Sequence, residues 1–374
     1  MMPNYKYTTI YSDKLNFFDA INDILSQLLG GKIVRMVFFE ECSSNDYYCN
    51  DRKTLHSVLK NVFCDKIPAW SLVGQKPLDC SFSCEVCEIC DDDFNLEYRD
   101  FGVVVNGKSY REIVAGNISA DPIGDSIEQQ CRKVFLKVDA ILKSEDCKVE
   151  NIVRQWNYIE NITLMDCGEQ NYQLFNNARS LFYEKGDWSI VGYPAATGIG
   201  TAVGGIVLDF NAIVASDISL VKLDNELQIA AHDYSDKVLL GSTQKLTTPK
   251  FERGKAVCDS RSVLVYISGT AAIRGEKSLK DQAADAQIKA TMENINFLIG
   301  VDNLSKSGVK SGDMVHYSSL RVYVKHESDY AAIKSYMDQN FGNVSIIYLH
   351  SDVCRDELLV EVEGIAIKNN NIKQ

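Results

Sequence analysis

Glu361 and Glu363 lie two residues apart in Leu358-Leu359-Val360-Glu361-Val362-Glu363-Gly364, and alternation from Leu359 onward reads as a β-strand. In such a strand both carboxylates point one way, opposite Val360 and Val362. If that face is dry, burial and the neighbouring like charge both hold a carboxyl above its usual range. An acid that keeps its proton near neutral pH can deliver it, so the pair suits general acid chemistry. On a solvated face the same two residues would be ordinary surface glutamates. Cys354 lies upstream on the same segment, and His350 four residues before it raises a Cys–His nucleophilic pair. With both on one short loop, a thiol that lines and shapes a pocket fits better. The five histidines (His56, His232, His316, His326, His350) have no ligand spacing.

The elements that would position these groups recur along the chain. In the C-terminal third, strand 263–267 leads into helix 281–299, strand 320–324, helix 329–341, strand 344–349 and the final strand 357–367. The middle third repeats the order. A hairpin of 102–105 and 113–118 turns on Asn106-Gly107, a strong turn signal. It precedes helix 126–143, strand 153–158, helix 171–184, Tyr193-Pro194-Ala195 and strand 206–210. The first third reads as a truncated copy: helix 14–29, capped by Ser12 or Asp13 and stopped by Gly30-Gly31, then strand 32–39, helix 51–63, strand 69–73 and a strand near 84–90. Repetition of this kind marks duplicated architecture. The expected fold is α+β: three βαβαββ units near 1–99, 100–216 and 217–374, each a sheet with two helices on one face, packed sheet to sheet.

Cys80, Cys84, Cys87 and Cys90 follow the pattern C-x3-C-x2-C-x2-C, which could hold zinc or an iron–sulfur cluster. The repeat argues otherwise. It places Cys80 where Cys354 falls and 83–89 on the counterpart of the Glu361 strand, where Cys87 would face away from Cys84 and Cys90. No metal and no cofactor is expected. Gly198-Ile199-Gly200 and Gly204-Gly205 resemble a phosphate loop superficially; no Lys-Ser/Thr follows, so a turn at the rim of a site is expected.

With 374 residues, 45% of them hydrophobic, the chain can bury a large core. A net charge of −12 without clustered Lys or Arg argues against a nucleic-acid surface. The N-terminus lacks the apolar core of a signal peptide, and no apolar stretch approaches the roughly 18 residues that span a bilayer. Twelve cysteines without a secretion signal point to reduced thiols in the cytoplasm.

Residues 260–368 resemble a RidA/YjgF (reactive-intermediate deaminase) domain in Ile267-Ser268-Gly269-Thr270-Ala271, Asn294-Ile295, Arg321-Val322-Tyr323-Val324 and Val360-Glu361-Val362-Glu363-Gly364. The units would then be RidA/YjgF-like (chorismate mutase-like), packed as an intramolecular pseudo-trimer. A narrower resemblance, to the chorismatases, spans about 150–366. Its blocks are Arg154-Gln155-Trp156-Asn157-Tyr158-Ile159, Tyr172-Gln173-Leu174-Phe175-Asn176, Tyr193-Pro194-Ala195-Ala196-Thr197-Gly198-Ile199-Gly200, Pro249-Lys250-Phe251-Glu252-Arg253-Gly254 and Cys354-Arg355.

That resemblance implies cleavage of the enolpyruvyl ether of chorismate, releasing pyruvate. The product is a dihydroxycyclohexadiene carboxylate or a hydroxybenzoate. The family's acidic catalytic residue falls on Glu361 and its active-site cysteine on Cys354. Within the blocks, Arg154, Arg179, Arg253 and Arg321 are candidates to grip the two substrate carboxylates. Arg154 leads, because Trp156 and Tyr158 share its face of a strand. Tyr158, Tyr172 and Tyr193 could supply hydroxyl donors. The deaminases carry a carboxylate-gripping arginine fifteen residues before the glutamate, where this chain has Ile346; that weakens a deaminase or ribonuclease reading. A non-catalytic binding protein for a small carboxylate is the other alternative. RidA trimers place ligand sites between subunits, so a chain holding three units would be a monomer. One cleft would be functional, formed by Glu361 and Cys354 of the third unit with Arg154, Tyr158 and Tyr193 of the second.

Overall fold

The computed structural model describes residues 1–166, 168–235, 247–309 and 314–369. The first sheet is built from β1 (Tyr5–Ser12), β2 (Lys32–Glu40), β3 (Ala69–Val73) and β4 (Phe82–Ile89), with α1 (Phe17–Ser26) and α2 (Asn45–Phe63) between strands. The second contains β5 (Asn95–Arg99), β6 (Gly102–Asn106), β7 (Tyr110–Ser119), β8 (Ile152–Glu160), β11 (Ala195–Thr201) and β12 (Ile206–Ala215). With it go α3 (Ile127–Ser144), α4 (Asn171–Tyr183) and the small ribbon β9 (Met165–Asp166) and β10 (Glu169–Gln170). The third contains β13 (Ser219–Leu223), β14 (Gly254–Cys258), β15 (Ser262–Ala271), β18 (His316–Val324), β19 (Ser345–His350) and β20 (Val360–Asn369). It carries α5 (Ala284–Leu298), α6 (Val301–Lys306) and α7 (Tyr330–Phe341), plus the ribbon β16 (Ile273–Arg274) and β17 (Lys277–Ser278).

Three strand orders coincide: β1-β4-β2-β3, β7-β12-β8-β11 and β15-β20-β18-β19. The repeat is therefore real, and the first copy includes an opening strand, β1, that the sequence reading left out. What it lacks is the preceding hairpin strand that β6 and β14 add to the others. Because β1 extends to Ser12, α1 begins at Phe17 with Asn16 as its cap, while the Ser12 hydroxyl donates to Asp23 at 2.6 Å. Asn95–Arg99 pairs with β6 and so belongs to the second sheet.

The units follow one another around a pseudo-threefold axis: β3 packs along β7, β11 along β15 and β19 along β1. Register across each last strand fixes the equivalences. Val37 faces Glu85, Trp156 faces Asp209 and Arg321 faces Glu363; two residues on, Phe39 faces Ser83, Tyr158 faces Val207 and Tyr323 faces Glu361. All three units thus keep a buried carboxylate at the Glu363 position, and the third alone has one at the Glu361 position.

Three buried arginines stitch the units together. Arg35 of the first donates to Asn211 at 2.7 Å and to the carbonyls of Ala115 and Phe210 in the second. Arg154 of the second pairs with Glu363 of the third. Arg321 of the third meets Glu85 of the first at 2.5 Å and the Tyr158 hydroxyl of the second at 2.8 Å. All three guanidinium groups lie within 5.7 Å of the Trp156 ring, so this indole fills the junction. Cys84 and Cys87 sit in different hydrophobic cores on opposite faces of β4. Among the described residues no helix is long and apolar enough to cross a membrane.

Candidate active site

Strand β20 puts Val360 and Val362 into the core of its own unit and turns Glu361 and Glu363 toward the second unit. The two glutamates meet different fates. The Glu363 carboxylate is saturated: Arg154 and Thr197 bond it, Arg321 lies at 3.1 Å, and the Trp156 indole and Tyr323 hydroxyl donate at 3.1 and 2.9 Å. Glu361 accepts no hydrogen bond from any described residue and lines a pocket instead. Burial, first, and the neighbouring Glu363, second, push its carboxyl up to about 8; Arg253 and Arg154 oppose that rise. A buried carboxyl with a free oxygen and a proton at neutral pH is equipped to act as an acid.

The pocket lies between units. From the second come Tyr172, Gln173 and Asn176 on α4 and Ala196 and Gly198 on β11; the third supplies Gly269 and Ala271 on β15, then Phe251, Arg253, Tyr234, Cys354 and Arg355 from loops. Two glycines are required by space. A Cβ on Gly269 would stand 2.0 Å from Glu361 Oε1, and one on Gly198 would stand 2.9 Å from Tyr172 Cε2. Gly198 and Gly200 therefore lie inside β11, not in a rim turn as the sequence suggested: a β-branched residue there would collide with α4. The turn is made by Gly204 and Gly205, with φ of +102° and +63°.

Arg253 spends Nη2 on the Ile229 carbonyl and the Tyr234 hydroxyl, both at 2.6 Å, and its buried Nε has no partner among the described residues. Arg179, behind Asn176, donates to that residue at 2.6 Å, and its Nε likewise has no partner among the described residues. Buried donors without acceptors are rare, and an anionic ligand would satisfy them. The Cys354 thiol is pushed up to about 12 by burial and then by Glu361, against the pull of Arg355, so it is a neutral wall. His350 bonds the Lys325 carbonyl at 3.1 Å. Burial also raises the Tyr172 hydroxyl.

The remaining candidates stand elsewhere. Among the described residues Arg154 reaches the site through Thr197 and Glu363, and its Nε and Nη1 have no partner there. Tyr158 and Arg321 are committed to the junction between units. The Tyr193 ring stacks with Tyr183 at 5.8 Å, and Lys255 holds the Tyr193 carbonyl at 2.9 Å.

Residues 98–212 match the sequence model of a family described as chorismatase FkbO/Hyg5-like, N-terminal. A 3-hydroxybenzoate synthase of Streptomyces hygroscopicus is 28% identical over 230 residues, 60% of this chain and 65% of that protein. A chorismatase of Streptomyces rapamycinicus is 28% identical over 223 residues, 58% of this chain and 64% of its own length. A solved chorismatase structure superposes with a TM-score of 0.72 at 20% identity, covering 97% of this chain and 98% of that one. The chain is related to the chorismatases. The alignments span less than two thirds of these curated chorismatase relatives, while the fold is shared throughout.

The sequence signal reached much of the pocket without naming it. Gln173, Asn176, Phe251 and Arg355 all lie inside the blocks that carry the chorismatase resemblance, each beside a residue that was singled out. Gly269 lies in the RidA-like block. Tyr234 had no signal: it sits in irregular chain just after a short 3-10 turn at Ala231–Asp233.

Proposed function

We propose that this protein cleaves the enolpyruvyl ether of chorismate, with Glu361 as general acid. The observation that carries this is the buried Glu361 carboxyl, bonded by no described residue, facing a pocket in which the Arg253 Nε has no partner among the described residues. Glu361 delivers its proton to the methylene carbon of the enol ether, giving an oxocarbenium ion, and keeps the carboxylate. Water adds to the cation and returns a proton to Glu361; the hemiketal then collapses to pyruvate and the ring alcohol. Arg253 and Arg355 are placed to hold carboxylates, Arg179 to hold Asn176, and Tyr172 with Cys354 to exclude water. Thr197, Arg154 and Glu363 fix the strand that carries the acid. Incubating pure protein with chorismate and assaying pyruvate by a coupled lactate dehydrogenase reaction tests the reading. Pyruvate release far above background is expected; its absence at high protein concentration overturns it.

Two further outcomes are expected. The rate should be level below pH about 8 and fall tenfold per unit above it, as Glu361 loses its proton. The linked stability has the same sense. The folded-state value lies above the ordinary 4.5, so this group's contribution is complete below 4.5 and disappears as pH rises through about 8. Gly269→Ala should lower turnover by about 100-fold, since displacing an acid by about 1 Å costs that much, while circular dichroism is unchanged.

The three units supply every inter-unit cleft within one chain, so we read the protein as a monomer, checked by light scattering. The described cysteines are free thiols, in keeping with a cytoplasmic setting.

A further inference from the structure

The pseudo-threefold axis generates a counterpart of the candidate active cleft, between β3 of the first unit and β7 of the second. Trp70 and Ser71 take the places of Ala196 and Thr197 in the strand register, and the Gly116-Asn117 bulge takes that of Ser268-Gly269. The Ser71 hydroxyl bonds Asp209 at 2.5 Å as Thr197 bonds Glu363. Helix α2 stands where α4 does. This counterpart has not been filled in; it is an open cleft on the surface.

Its chemistry differs from that of the chain as a whole. On a protein of net charge −12, Arg52, Lys53 and Lys60 of α2 and Lys137 of α3 line it, with Asp65 and Asp100 as its acids. Among the described residues Arg52, Lys53 and Lys60 form no ion pair. Arg99 also lines the cleft, but it is occupied by Glu97 and Glu145. A cleft lined by one sign of charge concentrates the opposite ion, here an anion. The cleft also carries a flat apolar element, Trp70 with the His56 ring stacked on it at 5.7 Å and 13°. Asn117, in the left-handed region at φ 56°, has a buried Oδ1 without a donor among the described residues. Cations, an aromatic wall and a free acceptor together suit a ring that bears a carboxylate and a hydroxyl. Where the first cleft has Glu361, this one has Val207, so the strand acid of the first cleft has no counterpart here.

We infer that the second cleft is a non-catalytic binding site for a small hydroxylated ring carboxylate. The ligand class rests on the function proposed above, but the cleft and its charge do not. The test is calorimetric titration of the full chain with 3-hydroxybenzoate at low salt, beside the double variant Lys53→Glu/Lys60→Glu. The expected result is a binding event in the wild type that weakens at least tenfold in the variant and with rising salt, while pyruvate release from chorismate is unchanged. Lys53→Ala/Lys60→Ala, a milder change, should give an intermediate affinity and guards against misfolding. Binding that neither variant alters, or no binding outside the first pocket, overturns the inference. Saturation by inorganic phosphate without any 3-hydroxybenzoate binding overturns the ring assignment. If chorismate is not turned over but the charge-sensitive event persists, the proposed reaction fails and the second site stands.

Discussion

Glu361→Gln lowers kcat/KM for pyruvate release from chorismate by about two to four orders of magnitude, the range that a positioned general acid contributes. The substitution isolates the proton. Glutamine has nearly the same shape, and at neutral pH the glutamic acid it replaces is already uncharged, since its carboxyl titrates at about 8. No hydrogen bond to a described residue is lost, so the fold and the neighbouring Glu363 network persist. Two readouts separate an acid from a structural residue. The fall in rate above pH about 8 should vanish from whatever activity remains. The variant should also become more stable than the wild type at high pH, because it has no buried carboxylate to ionise there. Binding of substrate should survive, since Arg253 and Arg355 are untouched. Activity retained within a few fold would remove Glu361 from the mechanism and leave a binding protein as the better reading.

The alternation of Val360 to Glu363 was enough to orient both carboxylates, because a period of two leaves no freedom about which face each residue takes. It could not say which of them was free. That choice depends on Thr197, Arg154 and Trp156, which reach Glu363 from another unit more than 160 residues earlier in the chain. The same limit explains the arginines. Arg154, Arg179, Arg253 and Arg321 all sit in distinctive segments and all are buried, yet one lines the pocket and another locks three units together. Composition and local pattern identify an unusual arginine; only the packing of distant strands decides what it pairs with. Helix positions were legible from their apolar spacing, but α2 begins at Asn45 behind its Ser44 cap, six residues before the expected start at 51. β1 was not legible because Tyr5–Ser12 mixes buried and exposed positions without clean alternation. Gly198 misled because glycine marks close approach as well as turns.

Arg321→Ala should destabilise the protein by about 3–5 kcal/mol, the cost of removing one partner from a buried ion pair. At the junction, Arg321 pairs with Glu85 and Glu363 and Arg154 with Glu363, each nearly excluded from water, beside the third buried arginine, Arg35. Burial, the largest single effect, would raise Glu85, but Arg321 with Ser319 and Arg35 together outweigh it and keep the carboxylate below its usual range. Removing Arg321 therefore leaves Glu85 without its ion-pair partner and takes the Arg321 bond from the Tyr158 hydroxyl, at a point where all three units meet. The double variant Glu85→Leu/Arg321→Met removes both members of the pair, with Arg154 still paired to Glu363, and should recover most of the loss, because apolar groups of similar volume replace a buried pair at little cost. Urea unfolding of the wild type and both variants measures this. The pairing has a pH signature as well: with its folded-state value depressed, Glu85 contributes stability above the ordinary 4.5 that is lost as pH falls through the lower folded value. A single variant within 1 kcal/mol of the wild type, or a double variant no better than the single, would show that the units are held by their cores and not by this network.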